Sequence, residues 1–218
     1  MTEESRMATD AGADAGLTAA DDARKVQAAL PHAVLDILEN GNDAWLVVDR
    51  SSIQETLQYL RDEPSLAYRF FSECLGVDYL DPGTGSPILG KAHRFEVVYN
   101  LLSIHDPRSQ MGSGRRLFVK VPVPADDPVV PTVTGIYPGA AFPEREIYDM
   151  FGIRFDGHPD LRRLLMPDDW IGHPQRKDYP LGGERVQFPN GTYGPSVGEK
   201  VVQHPGEGFF GRTADEIE

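Results

Sequence analysis

Cysteine is nearly absent: Cys74 is the one thiol in 218 residues. An iron–sulfur cluster commonly takes four thiolates and a structural zinc site at least two, so the cysteines of this chain build neither. Cys74 sits in the apolar stretch Phe70-Phe71-Ser72-Glu73-Cys74-Leu75 and reads as a small buried hydrophobe, with no nucleophile signature around it. Basic charge is also short. The 21 Lys and Arg against 34 Asp and Glu leave a formal charge of −13. Phosphate binding needs clustered cations, so nucleic acid and anionic lipid are excluded as main partners. No apolar run approaches the roughly 20 residues that cross a bilayer, and the opening MTEESRMATDAGADAG lacks the apolar core of a secretory signal. No G-x-G-x-x-G follows a predicted strand, so the dinucleotide fingerprint is missing too.

What is present is ordinary soluble-domain composition, 40% hydrophobic and 25% charged, in a chain long enough for one packed domain with tails. Residues 1–22 hold six acids and one base with almost no large apolar groups, a composition that predicts a disordered acidic tail. Helical spacing over 22–40 predicts a short amphipathic helix interrupted at Pro31, then a turn at Gly41-Asn42-Asp43. Trp45-Leu46-Val47-Val48 reads as a strand. Asp49-Arg50-Ser51-Ser52 offers an N-cap for a helix from Ile53, and Leu66 to Leu75 reads as a second helix closed by Gly76. Strands follow at 77–80, 93–102 and 116–121, the last two forming an antiparallel hairpin. A short helix is expected over 129–137 and another from Pro143 to Gly152. The fold class predicted is α+β: helices on one face of a small, mostly antiparallel sheet over 23–156. Residues 157–218, dense in Gly and Pro, then form an extended C-terminal arm that orders against another protein.

The most informative stretch is Ala141-Phe142-Pro143-Glu144-Arg145-Glu146-Ile147-Tyr148-Asp149-Met150-Phe151-Gly152. Pro143 suits a first helical position, Glu144 and Glu146 the positive end of the helix dipole, and Gly152 a C-cap. Arg145 and Asp149 have the spacing of an ion pair, Ile147 and Phe151 that of an apolar pair. Two residues separate Glu144-Arg145-Glu146 from Asp149, and Met150-Phe151 follow. Six residues separate Phe151 from His158, three separate His158 from Arg162, and one separates Arg162 from Leu164-Leu165. Asp168-Asp169-Trp170, Gly172-His173-Pro174 and Arg176-Lys177-Asp178-Tyr179-Pro180-Leu181 extend the pattern. These roughly 40 positions resemble the signature of the C subunit family of proton-pumping NADH–quinone oxidoreductase, respiratory complex I. One departure is Ala141-Phe142-Pro143, where members commonly carry Asn-Trp-Tyr.

The resemblance implies a cofactor-free scaffold of the peripheral arm that packs against the D subunit, near the B and I subunits. It implies a free-standing C subunit, not fused to its D neighbour, peripheral on the cytoplasmic face of the membrane and held there only through the complex. FMN, iron–sulfur clusters, NADH and quinone are expected on other subunits, and no catalytic, cofactor or metal ligand in this chain. The equivalent subunit of a membrane-bound hydrogenase or another complex-I-like dehydrogenase is the alternative. Read without the family, His158, Asp160, Asp168, Asp169 and His173 offer metal-ligand types, but no two His share the spacing of a helical ligand pair. Glu144 and Glu146 stand two apart on a helix and point different ways, which argues against a shared acid–base role. Arg162-Arg163 and Arg176-Lys177, interleaved with Asp160, Asp168, Asp169 and Asp178, read as docking charges, with Trp170 and Tyr179 as interface anchors.

Overall fold

The structure, a computed structural model, describes residues 18–40, 43–88, 90–104 and 114–180. Helix α1 (Ala19–Ala29) opens on a capping box in which Thr18 and Asp21 bond each other's backbone N–H. The helix therefore begins inside the stretch expected to be disordered. Its Asp22 is fully buried, accepting from the Tyr68 hydroxyl at 2.8 Å and from Arg115. Residues 1–17, most of the expected acidic tail, lie outside the described residues.

The helix expected over 22–40 is two elements. Leu30, ahead of Pro31, leaves the helical region (φ −127°, ψ 62°), as a residue before proline must when its α conformation clashes with the ring. Strand β1 (Val34–Asn40) then pairs antiparallel with β2 (Asp43–Val48). A 3-10 turn, Arg50–Ser52, is capped by the Asp49 carboxylate and leads into α2 (Ile53–Asp62), as predicted.

The expected second helix over 66–75 is instead a turn, with Ala67 at φ 49°, followed by β3 (Phe70–Asp78). Eight register pairs with β6 (Phe95–Ser103) override the helical apolar spacing. Gly76 is accordingly no helix cap. It lies mid-strand, where a Cβ would stand 2.8 Å from the Phe151 ring, so its bareness admits the helix above. Short β4 (Leu80–Asp81) and β5 (Ser86–Pro87) pair with each other. Strand β7 (Arg115–Val123) closes the predicted hairpin with β6. The helix expected over 129–137 is also replaced. Strand β8 (Val129–Pro131) runs parallel to β9 (Arg154–Asp156), and a 3-10 turn, Pro138–Ala140, feeds α3 (Ala141–Phe151).

The five-stranded sheet has the order β1-β2-β7-β6-β3, antiparallel except for the parallel pair β2–β7. Three helices pack against it, giving the α+β class the sequence predicted. The register row Leu46–Val119–Tyr99–Cys74 is buried, and Cys74 is a small core hydrophobe as read from sequence. The next row, Val47–Lys120–Val98–Leu75, turns the other way and ends on exposed Leu75. Both outer strands carry a register bulge, at Val34/Asp36 and Phe71/Glu73, which blunts the edges against pairing with another chain.

The chain divides into two units, Met1–Lys177 and Asp178–Glu218. Residues 157–177 belong to the first unit; of the second, 178–180 are described.

Candidate functional site

Most of the residues singled out by the signature lie on α3 or meet it through a strap, residues 158–177, laid along it. The helix buries Ile147, Met150 and Phe151, each contributing about 1.5–3 kcal/mol by removal from water. Pro143 is the helix's third residue rather than its first, still within the turn where a missing N–H costs nothing. Of the two glutamates expected at the positive end, Glu144 lies in the first turn and Glu146 two residues further on, exposed.

Asp149 is the pivot. Its fully buried carboxylate accepts three successive backbone N–H groups, from Leu164 (3.0 Å), Leu165 (2.7 Å) and Met166 (2.8 Å), and Arg163 Nη1 at 2.6 Å. Burial works to raise its pKa, yet these backbone bonds and the Arg163 guanidinium together hold it below the usual carboxylate range. The other Arg163 nitrogen donates to the carbonyls of Trp170 (2.8 Å) and Gly172 (3.0 Å), drawing the far side of the strap to the same point. The predicted Arg145–Asp149 pair gives way to this arrangement. Arg145 instead donates to the carbonyls of Arg162 and Arg163 at 3.2 and 3.0 Å.

The carbonyl end of α3 is closed by the same segment. His173 Nδ1 lies 2.9 Å from the Asp149 carbonyl, so that nitrogen carries the proton. Burial, with Arg176 and Arg163 close by, pushes the His173 pKa down. Gln175 N–H donates to the Met150 carbonyl at 3.1 Å and Arg176 Nε to that of Phe151. Terminal carbonyls that a helix leaves unpaired are thereby satisfied, with cations at the negative end of its dipole. Gly152 ends the helix at φ 72°, as expected, and a Cβ there would stand 2.5 Å from both Arg176 Nη2 and His173 Nε2. Arg176 also lies over the Phe95 ring at 5.2 Å. The strap is pinned at its end by Lys177 N–H on Asp78 (3.0 Å), whose carboxylate Arg94 also grips at 2.9 Å.

The amino end of α3 is held differently. Glu144, also fully buried, accepts from Val133 N–H at 2.8 Å and from the Thr132 hydroxyl. Burial raises its pKa, outweighing these bonds and nearby His158. His158 accepts Asp160 N–H on Nδ1 at 3.0 Å, which puts its proton on Nε2, 3.0 Å from the Ala141 carbonyl. Among the described residues no three His, Cys, Asp or Glu side chains form a metal-sized group, so His158, Asp160, Asp168, Asp169 and His173 do not assemble. Arg162 pairs with Asp160 at 3.0 Å, Asp168 and Asp169 are exposed, and Trp170 is half-buried. Asp178 and Tyr179 fall in the second unit. Sequence reasoning missed Thr132, Val133, Asp78, Arg94 and Gln175; their partners lie elsewhere in the chain, with no local motif to mark them.

The sequence profile of the family described as respiratory-chain NADH dehydrogenase, 30 kDa subunit, matches residues 46–185, which takes in the whole strap. This chain belongs to that family. Its relatives include a Roseiflexus protein (strain RS-1) named as the C subunit of NADH-quinone oxidoreductase, 46% identical over 75% of this chain and 85% of the relative. A Thermus thermophilus protein named NADH-quinone oxidoreductase subunit 5 is 43% identical over 72% of each chain. Among solved structures, a trypsin-resistant Nqo5 fragment (1–134) matches with 37% identity and a TM-score of 0.50, covering 63% of this chain and 95% of the fragment. A chain of the archaeal membrane-bound sulfane sulfur reductase shares the fold, with a TM-score of 0.55 at 23% identity.

Proposed function

We propose that this chain is a cofactor-free scaffold subunit of the peripheral arm of NADH–quinone oxidoreductase. It packs on the D subunit beside the quinone-reducing module, near the B and I subunits, and supports electron transfer carried by FMN and iron–sulfur clusters elsewhere in the complex. Family membership gives the complex. The observation that carries the scaffold role is the strap. Asp149, Arg163, His173 and Arg176 are all engaged with backbone groups of the chain itself, so the signature builds a rigid presented shape. No helix among the described residues is long and apolar enough to cross a membrane. In this reading the chain reaches the cytoplasmic face of the membrane through its partners.

The test is affinity purification of the tagged chain from native membranes in mild detergent, with mass spectrometry and an NADH–quinone assay. Recovery of the B, D and I subunits with NADH oxidation is the expected outcome. Recovery with a hydrogenase or another donor module would retain the scaffold and replace the enzyme. Recovery of the chain alone would overturn the reading.

A further inference from the structure

Most of the strap's arginines turn inward and leave behind a surface of mainly opposite character. Arg145 is bound to two strap carbonyls, Arg163 to Asp149 and two more, and Arg176 to the Phe151 carbonyl. Of the outward bases, Arg162 is paired with Asp160 and Lys177 stands exposed at the strap's end. What faces out is apolar and acidic. Phe142, Leu165 and Ile171 are 64%, 56% and 87% exposed, and Glu146, Asp168 and Asp169 on the same helix and strap are exposed too.

The three apolar groups are carried by one frame, built on Arg145, Asp149 and Arg163, and together make a seam along it. Phe142 heads the helical face that continues through Arg145 and Asp149, at spacings of three and seven residues. Leu165 is fixed by its own N–H on Asp149, and Ile171 lies between the two carbonyls that Arg163 grips. Bulky apolar side chains held out on a hydrogen-bonded frame are preorganised anchors, needing little further ordering on association.

We propose that this seam is a docking surface for a neighbouring subunit that offers an apolar pocket rimmed by Lys and Arg. Leu165 and Ile171 fill the pocket, and Asp168, Asp169 and Glu146 meet the basic rim. The proposal rests on the scaffold reading and deepens it. It replaces the docking role expected of Arg162-Arg163 and Arg176-Lys177 with one for the acids between them. The open sheet face also exposes apolar groups, Leu38, Phe70 and Leu75. Its charges are mixed and mutually compensated, as Lys91 and Lys120 both meet Glu96 at 3.0 and 3.7 Å. That face offers no single sign to a partner, whereas the stretch from Leu165 to Ile171 carries only acidic charges.

The experiment compares tagged full-length variants for recovery in the assembled complex, with thermal unfolding of each purified chain as the fold control. Leu165→Asp and Ile171→Asp are expected to lower recovery roughly tenfold or more with the melting temperature unchanged, because each removes a buried anchor. Asp168→Lys with Asp169→Lys is expected to lower it several-fold, with the loss partly relieved at high salt. Leu38→Asp, on the open sheet face, should assemble as wild type. Normal recovery of both anchor variants would overturn the proposal. Loss with the anchors but none with charge reversal would overturn its basic partner. If wild-type chain brings down no other component of the oxidoreductase, the scaffold reading falls and this surface with it; wild-type recovery with indifferent variants removes this inference alone.

Discussion

Glu144 and Asp149 stand five residues apart on α3, both fully buried, and they behave as opposites. Asp149 has four donors, three of them backbone N–H groups from consecutive strap residues, and is held in its ionised form. Glu144 has one backbone N–H and one hydroxyl, and burial wins, raising its pKa. Two carboxylates can thus be equally hidden from water yet differ in how well their charge is met. The number of aimed donors decides, because a desolvated charge is tolerated only when paired and hydrogen-bonded. One end of α3 is fastened by an anion; the other is fastened by a group that gains from holding a proton.

The contrast breaks most sharply at Asp149. Asp149→Ala strands three N–H groups and the Arg163 guanidinium at once. Removing one partner of a buried ion pair costs about 3–5 kcal/mol. A melting temperature lower by roughly 10 °C is the expected reading in thermal unfolding. Limited proteolysis should show new cleavage within 163–177. An Asp149→Ala chain that melts within a degree or two of wild type would mean the strap is held by something else.

A smaller effect tests whether the closure of the helix's carbonyl end is as tightly specified. Gly152→Ala places a methyl where φ is 72° and where Arg176 and His173 lie 2.5 Å away. Both obstructing atoms end flexible side chains, but moving them costs their bonds to the Phe151 and Asp149 carbonyls. The left-handed strain of about 1–2 kcal/mol adds to the lost bonds, for a total of about 2–3 kcal/mol. Urea unfolding measures it as a lower midpoint at unchanged slope. An Ala variant as stable as wild type would show that the clasp has slack.

Much of this was legible in residue order, and the misses share one cause. The helix from Ile53, the β6–β7 hairpin and the Gly152 cap rest on local chemistry: capping groups, alternation, glycine's freedom at positive φ. The failures at 34–40, 66–75 and 129–137 are segments whose state is decided by distant partners. Val34–Asn40 becomes a strand because β2 is there to pair with it, and Phe70–Asp78 because β6 is. The site divides in the same way. The family signature picked out Asp149, Arg163, His173 and Arg176 as a set, yet spacing alone suggested outward charges and an Arg145–Asp149 pair. Only the fold shows that Arg163 turns to the Asp149 carboxylate and the strap's carbonyls, and Arg176 to the carbonyl end of α3. Glycine misleads in parallel: Gly76 and Gly152 both follow apolar runs, but one caps a helix and the other clears space beneath it.

The smallest expected effect lies at Glu144 and tests the other half of the comparison. Its folded pKa is raised above the ordinary value of about 4.3. Its contribution to stability is therefore fully present below that value and falls as pH rises through the folded pKa. Glu144→Gln removes the titration while keeping an oxygen for Val133 N–H, and an amide can still reach the Thr132 hydroxyl as donor. At neutral pH the variant should lie within about 1 kcal/mol of wild type. Its standing relative to wild type should improve as pH rises from 4 towards 7. Asp149 runs the other way: its pKa is lowered, so its contribution holds above about 3.9 and is lost as pH falls through the folded value. Acidification below neutrality should thus favour the amino end of α3, while the strap loses the contribution of His173. The lowered pKa of that imidazole gives stability that is present above the ordinary histidine value and lost as pH falls through the folded one. The Asp149 anchor gives way only in stronger acid. Unfolding free energies of wild type and Glu144→Gln across pH 4–8 decide it. A difference flat in pH would mean that burial leaves Glu144 unperturbed and that the two ends of the helix are fastened alike.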